Sequence, residues 1–106
     1  MARATTGVGA SDLAAAMIGG EIWLRVPETM RIQLEGAPGR MVHTKDIVLA
    51  LVRQLGPEGA AYRSLEFGGP AVDAMDMDAR ALLANMSVEM GAKCGLFHAD
   101  DTTLAY

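Results

Sequence analysis

Two periodicities of apolar residues alternate along the chain. Residues 30–35 (Met-Arg-Ile-Gln-Leu-Glu) alternate apolar and polar side chains, which is typical of a half-buried strand. In residues 45–55, Ile47, Leu51 and Leu55 recur at i, i+4 and i+8, which predicts a helix with one buried face. Because segments of both kinds alternate along the chain, the sequence predicts layered α/β packing.

Capping residues mark where the helices begin and end. Ser11-Asp12 precede an apolar run and are expected to begin a helix, and Gly19-Gly20 to end it, since glycine readily adopts the left-handed conformation. Thr44 is predicted to cap the helix that follows it. A last helix is predicted over residues 77–90, capped by Asp76. Three further segments are expected to be strands or extended chain: residues 21–26, 62–67 and 92–98.

Composition limits the class of protein. The chain has 106 residues, of which 51% are hydrophobic, so it is predicted to form one packed domain rather than a disordered segment. Its longest apolar runs have six residues, whereas a bilayer span needs about twenty, so no membrane segment is expected. The start has no apolar signal region and the chain has one cysteine, Cys94, which together favour a cytoplasmic protein.

The charge pattern argues against a nucleic-acid partner. The net charge is −4, and the lysines and arginines form no basic stripe. Binding to a phosphate backbone depends on clustered cations that release its counterions. We therefore expect no nucleic acid among the partners.

Two glycine-rich or acidic segments have ordinary structural interpretations. Gly7–Asp12 resembles a nucleotide-binding loop, but Asp12 stands where a dinucleotide fingerprint needs glycine, and no strand is predicted before it. It is interpreted as a flexible entry to a helix. Asp73, Asp76 and Asp78 lack the pattern of a calcium loop and are interpreted as helix caps and a solvated turn.

The chain offers few nitrogen or sulfur ligands for a metal. These are His43, Cys94 and His98. On a strand, the four-residue spacing of the last two spans about 13 Å, which is too long for one shared metal. Cys94 is therefore interpreted as an ordinary buried small residue, and no metal-binding residue is predicted.

Asn85 and Glu89 are the candidate catalytic residues. Their four-residue spacing in the predicted last helix places an amide and a carboxylate on one face, one turn apart. Such a pair can bind a hydroxyl group and move a proton. The spacing alone is common on exposed helices, so the assignment needs further support.

Five short segments resemble the aconitase superfamily and follow its order. They are Gly7–Asp12, Trp23–Pro27, Thr44–Leu49, Leu65–Gly68 and Ala84–Ala92. The third and fifth are closest to the branch that contains the large subunits of 3-isopropylmalate dehydratases and homoaconitases. The resemblance implies that residues 1–106 form a single partial domain, part of a layered α/β/α aconitase-like iron–sulfur domain.

The same resemblance implies a chemistry. Members of this family reversibly dehydrate a hydroxy di- or tricarboxylic acid at a [4Fe–4S] cluster whose open iron acts as a Lewis acid. Asn85 and Glu89 match the family's Asn-Met-x-x-Glu motif, so Glu89 is predicted to carry the proton of the leaving hydroxyl or incoming water. Asn85 is predicted to hold oxygens on the substrate or cluster side by hydrogen bonds.

Several family motifs are missing from the chain. The Asp-Ser-His, Cys-Thr-Asn and Cys-x-x-Cys motifs are absent, and Cys94 occupies a position where the family usually has a small residue. The chain alone is therefore expected to bind no cluster and to have no cofactor-binding residues. The implied partners are the remaining large-subunit polypeptide and a small swivelling-domain subunit, which supplies the catalytic serine and arginines.

Two interpretations of the function remain open from the sequence. In the first, the chain is a fragment or split subunit of a 3-isopropylmalate dehydratase-type hydro-lyase and supplies one wall of its active site. In the second, it is a stand-alone, non-catalytic remnant that binds a partner protein or a small carboxylate. In neither is the chain expected to be active alone.

Overall fold

The computed structural model describes residues 4–6 and 8–106, with side-chain burial from residue 8 onward. Gly7, which opens the candidate nucleotide loop, lies outside the described residues. The regular elements are β1 (Ala4–Thr6), α1 (Ala10–Gly19), β2 (Thr29–Gln33), α2 (Thr44–Leu55), β3 (Ser64–Gly68), α3 (Pro70–Asp73), α4 (Met77–Asn85), a 3₁₀ helix (Met86–Met90), β4 (Cys94–Phe97) and α5 (Asp101–Ala105).

The four strands form one sheet in the order β1-β4-β3-β2. β2, β3 and β4 are parallel, with Met30 beside Leu65 and Leu65 beside Gly95. β1 pairs antiparallel with β4 at the edge of the sheet. Parallel strands need crossover connections, and helices supply them here. The structure therefore confirms the α/β class and is consistent with a partial aconitase-like domain.

The core lies between one face of the sheet and the helices α2 and α4. Leu65, Val48 and Leu83 are fully buried there, one from each of these layers. The rings of Phe67 and Phe97 stack across β3 and β4, with centroids 5.1 Å apart. Side chains that alternate with the core positions, such as Arg31 and Glu66, are exposed on the opposite face of the sheet. The alternation predicted for residues 30–35 is thus the burial pattern of β2.

The first two helices form where predicted, but with different caps. The N-cap of α1 is Gly9, whose amide donates to the Asp12 carboxylate at 3.3 Å, so the helix begins before Ser11-Asp12. Gly20 ends it in the left-handed conformation. The N-cap of α2 is His43 rather than Thr44, because the Asp46 carboxylate accepts the amide hydrogen of His43 at 2.8 Å.

The predicted last helix is divided into two helices. Asp76 caps α4 as predicted and accepts from the amide of Ala79 at 2.8 Å. The α-helix ends at Asn85, and a 3₁₀ helix continues to Met90 before Gly91 reverses the chain. At the junction the Ser87 hydroxyl donates to the carbonyl of Leu83 at 3.0 Å. A serine that bonds to the carbonyl four residues earlier offers the backbone an alternative to the α-helical hydrogen bond.

Three short elements had no counterpart in the sequence prediction: β1, α3 and α5. β1 directly precedes Gly7, so the expectation that no strand comes before the glycine-rich segment was wrong. The strands β3 and β4 are shorter than predicted, since β3 begins only at Ser64, after Tyr62 in a left-handed conformation. Residues 21–26, expected to be a strand or extended chain, lie in no helix or strand.

Gly95 allows α4 to lie close against β4, and we expect its replacement to be destabilising. A Cβ atom at residue 95 would lie 2.7 Å from the Ser87 hydroxyl and 2.8 Å from the Cα atom of Ala84. Gly95→Ala is therefore expected to lower the free energy of unfolding by about 1–3 kcal/mol, measured by denaturant titration. The matched control is Gly19→Ala, where a Cβ atom meets nothing within 4 Å. Equal stability of the two variants would contradict the close approach.

Candidate active site

The structure places Asn85 and Glu89 at the end of α4 and in the following 3₁₀ helix. Asn85 is the last residue of α4, whereas Glu89 is the fourth residue of the 3₁₀ helix. Because a 3₁₀ helix has three residues per turn, a four-residue spacing no longer places two side chains on one helix face. The prediction of one continuous helix through both residues was therefore wrong, and both side chains are exposed.

The 3₁₀ helix lies at the amino edge of the parallel strands. The amide of Ala60 donates to the carbonyl of Met90 at 3.0 Å, and the amide of Tyr62 donates to the carbonyl of Gly91 at 2.9 Å. Residues 60–62 lead directly into β3, so these hydrogen bonds fix the 3₁₀ helix beside the start of that strand. Met90 is buried, while Asn85 and Glu89 face outward.

A buried arginine holds α4 in place at the opposite end of the helix. Arg80 is only 1% exposed, and its two terminal nitrogens bond to the two Asp100 oxygens, each at 2.7 Å. The guanidinium also donates to the Thr103 hydroxyl at 3.2 Å and to the carbonyl of Val72 at 3.4 Å. These contacts connect α4 to α3 and to the segment that follows β4.

The contact between Arg80 and Asp100 shifts the pKa of both groups. The hydrogen bond from Arg80, supported by the Thr103 amide, holds the pKa of Asp100 well below its usual range. The hydrogen bond to Asp100 raises the pKa of Arg80 despite the opposing effect of burial. Both groups therefore remain charged over the whole physiological range.

His98 stands near two of the acidic residues at this end of the sheet. Its Nε2 atom lies 3.6 Å from a carboxylate oxygen of Asp73 and 3.8 Å from one of Asp100. Asp76 serves as a helix cap, as the sequence predicted. Within residues 4–6 and 8–106, no three histidine, cysteine or acidic side chains are grouped so as to hold a metal ion.

The sequence analysis did not predict the Arg80–Asp100 pair, although the position of Arg80 in its helix indicated that this arginine is buried. Met77, Arg80, Ala84 and Ser87 recur at helical spacing, and all four are buried. An arginine among such buried positions needs a partner of opposite charge. The partner could not be identified from the pattern, because Asp100 follows a strand twenty residues later.

Comparison with known proteins places the chain in a family. The sequence model of the aconitase family (aconitate hydratase) matches residues 1–106. The chain belongs to the aconitase family. Family membership implies a [4Fe–4S] cluster in the complete enzymes, and it confirms the resemblance drawn from the five segments.

Individual relatives of this aconitase-family chain are large subunits of one enzyme. The chain is 50% identical over 101 residues to the 3-isopropylmalate dehydratase large subunit of Oleidesulfovibrio alaskensis. It is 47% identical over 102 residues to that of Acetivibrio thermocellus and 46% identical over 99 residues to that of Campylobacter curvus. These matches cover 93–96% of the chain but only 24% of each relative. The chain thus spans about a quarter of the length of these relatives.

The residues of the chain do not fit the family's cluster. A [4Fe–4S] cluster generally needs three or four thiolates, and the chain has only Cys94. The Cys94 thiol on β4 is half-buried rather than buried as predicted, and it donates to the Ser64 hydroxyl at 3.2 Å. We therefore assign no cluster ligand in this aconitase-family segment and no chemical step to Cys94.

Among the helices of residues 4–6 and 8–106, the longest, α2, has 12 residues, and none has the length and apolarity of a bilayer span.

Proposed function

We propose that the chain is part of a 3-isopropylmalate dehydratase-type hydro-lyase, in which it supplies one wall of the active site. The reaction is the reversible dehydration of a hydroxydicarboxylic acid. The observation that carries the proposal is the 46–50% identity to dehydratase large subunits along nearly the whole chain. The remaining large-subunit polypeptide and a small subunit would complete the enzyme, in the cytoplasm.

The exposed apolar surface supports completion by other polypeptide. α1 has no buried residue, and Met17 and Ile18 within it are 79% and 89% exposed. Trp23 and Val26, in the segment that follows, are 82% and 88% exposed. Soluble monomers rarely leave so many large apolar side chains in one stretch in water, because their burial is favourable. A larger assembly would bury them.

Asn85 and Glu89 would act on the substrate hydroxyl. Both are exposed, and within the described residues neither side chain has a hydrogen-bond partner, so both are available to a ligand. The Glu89 carboxyl would give a proton to the departing hydroxyl and remove one from water in the reverse direction. The Asn85 amide would orient a substrate oxygen by a hydrogen bond. The cluster, held by other polypeptide, would supply the Lewis acid of the complete enzyme.

Activity of the assembled protein tests the proposal. The assembly that contains this chain is purified anaerobically and supplied with 3-isopropylmalate, and the unsaturated product is followed by its ultraviolet absorbance. We expect turnover with 3-isopropylmalate and much less with citrate. An assembly that retains iron and sulfide but converts neither acid would contradict the proposed function.

A further inference from the structure

Tyr62 is held in an unusual conformation at the amino edge of the sheet. Its φ angle is +54°, a left-handed conformation that bulky residues seldom adopt. Its amide bonds to the carbonyl of Gly91 at 2.9 Å, and its hydroxyl accepts from the Arg25 amide at 3.0 Å. Non-glycine residues in such conformations often occur at functional sites, where surrounding contacts maintain them.

Two cationic side chains contact the Tyr62 ring at this edge of the sheet. The Arg25 guanidinium lies 4.6 Å from the ring centroid, and the Lys93 ammonium lies 5.1 Å from it. Both distances fall within the range of a cation–π contact, which orients a cation without neutralising it. Arg63, next to Tyr62 in the chain, is half-buried at the same place.

Within the described part of the chain, Arg25, Arg63 and Lys93 form no ion pair with a carboxylate. The ion pairs within the described residues involve only Arg80, His98 and their aspartates. The chain as a whole has a net charge of −4, so acidic groups are plentiful elsewhere. Cations that are drawn together in an acidic protein, and left without acidic partners, create a local positive potential that attracts anions.

A cavity opens between the two arginines. It has a volume of about 400 Å³, and Arg25, Tyr62 and Arg63 line it together with Glu28. Glu28 forms no ion pair with either arginine. The planar guanidinium group is suited to bind the two oxygens of a carboxylate side by side.

We propose that the Arg25–Tyr62–Arg63 cavity is a carboxylate-binding subsite. It lies at the same edge of the sheet as the 3₁₀ helix that carries Glu89, because Gly91 bonds directly to Tyr62. The carboxylate has two possible sources: the hydroxydicarboxylic substrate, an arm that rests on the proposed function, or an acidic side chain of the completing polypeptide. In both cases the arginines bind the oxygens, and Tyr62 holds Arg25 in position.

Substitutions in the assembled enzyme distinguish the two sources. Arg25→Gln and Arg63→Gln are compared with Arg40→Gln, which removes the same charge from an exposed loop position outside the cavity. A rise of about ten-fold or more in KM with little change in kcat and an unchanged native mass assigns the substrate carboxylate. An unchanged KM with loss of the companion polypeptide from the assembly, or with a lower melting temperature of the assembly where that polypeptide is continuous with this chain, assigns an acidic side chain. Arg63→Lys, which keeps the charge but loses the paired geometry, is expected to recover only part of either effect.

A second measurement does not depend on dehydratase activity. Malate is added to the full chain, and its melting temperature is compared with that of the Arg25→Gln/Arg63→Gln double variant. A rise for the native chain and Arg40→Gln that is absent from the double variant supports the subsite, even if the assembly proves to lack the proposed activity. Variants that match Arg40→Gln in KM, native mass and response to malate would overturn the proposal.

Discussion

Glu89→Gln in the assembled enzyme is expected to lower kcat by about 10²- to 10⁴-fold, the usual contribution of a positioned general acid or base. Glutamine keeps the size and hydrogen-bonding ability of the side chain but cannot carry the proton. Because Glu89 is exposed and belongs to no core contact, the substitution is expected to leave folding unchanged. Turnover, melting temperature and iron and sulfide content are measured on the same preparation.

Glu35→Gln is the matched control for this experiment. Glu35 is an exposed carboxylate beyond the end of β2, and its loss is expected to leave kcat unchanged. A Glu89→Gln enzyme with full cluster content and native turnover would remove Glu89 from the mechanism. A loss of iron and sulfide together with activity would instead give Glu89 a structural part in the cluster site, contrary to the role proposed.

Asp100→Ala is expected to be strongly destabilising. It would leave the Arg80 guanidinium, 1% exposed, without its counter-charge, and an uncompensated buried charge is very costly. We expect the melting temperature to fall by at least about 10 °C. Arg80→Met should be milder, because it leaves a carboxylate that is 25% exposed and can be hydrated. Equal stability of Asp100→Ala and the native chain would contradict this account.

The pair also predicts how stability depends on pH. Since folding lowers the pKa of Asp100, its carboxylate contributes its full stabilisation above the pKa of an unfolded aspartate, about 4. That contribution is lost as the pH falls from there toward the lower pKa of the folded state. The melting temperature of the native chain should therefore decrease more steeply below about pH 4 than that of Asp100→Ala. Parallel curves would show that another carboxylate governs acid unfolding.

The main features of the fold were predictable because local patterns and tertiary packing agree. The i, i+4, i+8 spacing of Ile47, Leu51 and Leu55 predicted α2, and the alternation of residues 30–35 predicted β2. Gly20 ended α1 as expected, in the left-handed conformation. These signals depend only on neighbours in the chain, which is why they could be interpreted without a structure.

What the sequence did not predict depends on contacts distant in the chain. The change from α-helix to 3₁₀ helix after Asn85 accompanies the Ser87 hydrogen bond and the close approach to Gly95. The Arg80–Asp100 pair joins residues 20 positions apart. The contacts of Arg25 and Lys93 with Tyr62 join residues 37 and about 30 positions apart. For the site, the Asn-Met-x-x-Glu motif identified Asn85 and Glu89, but not their place at the amino edge of the sheet, and their catalytic role remains a prediction.

The native mass of the assembly that contains this chain, purified anaerobically from its source, tests the central claim most directly. We predict a complex several times heavier than 11.2 kDa that contains iron, sulfide and cysteine-bearing polypeptide. Mass spectrometry of its components would show whether that polypeptide is continuous with this chain or a separate subunit. An iron-free species of 11.2 kDa, or a small oligomer of this chain alone, would contradict the hydro-lyase assignment and favour a non-catalytic binding module.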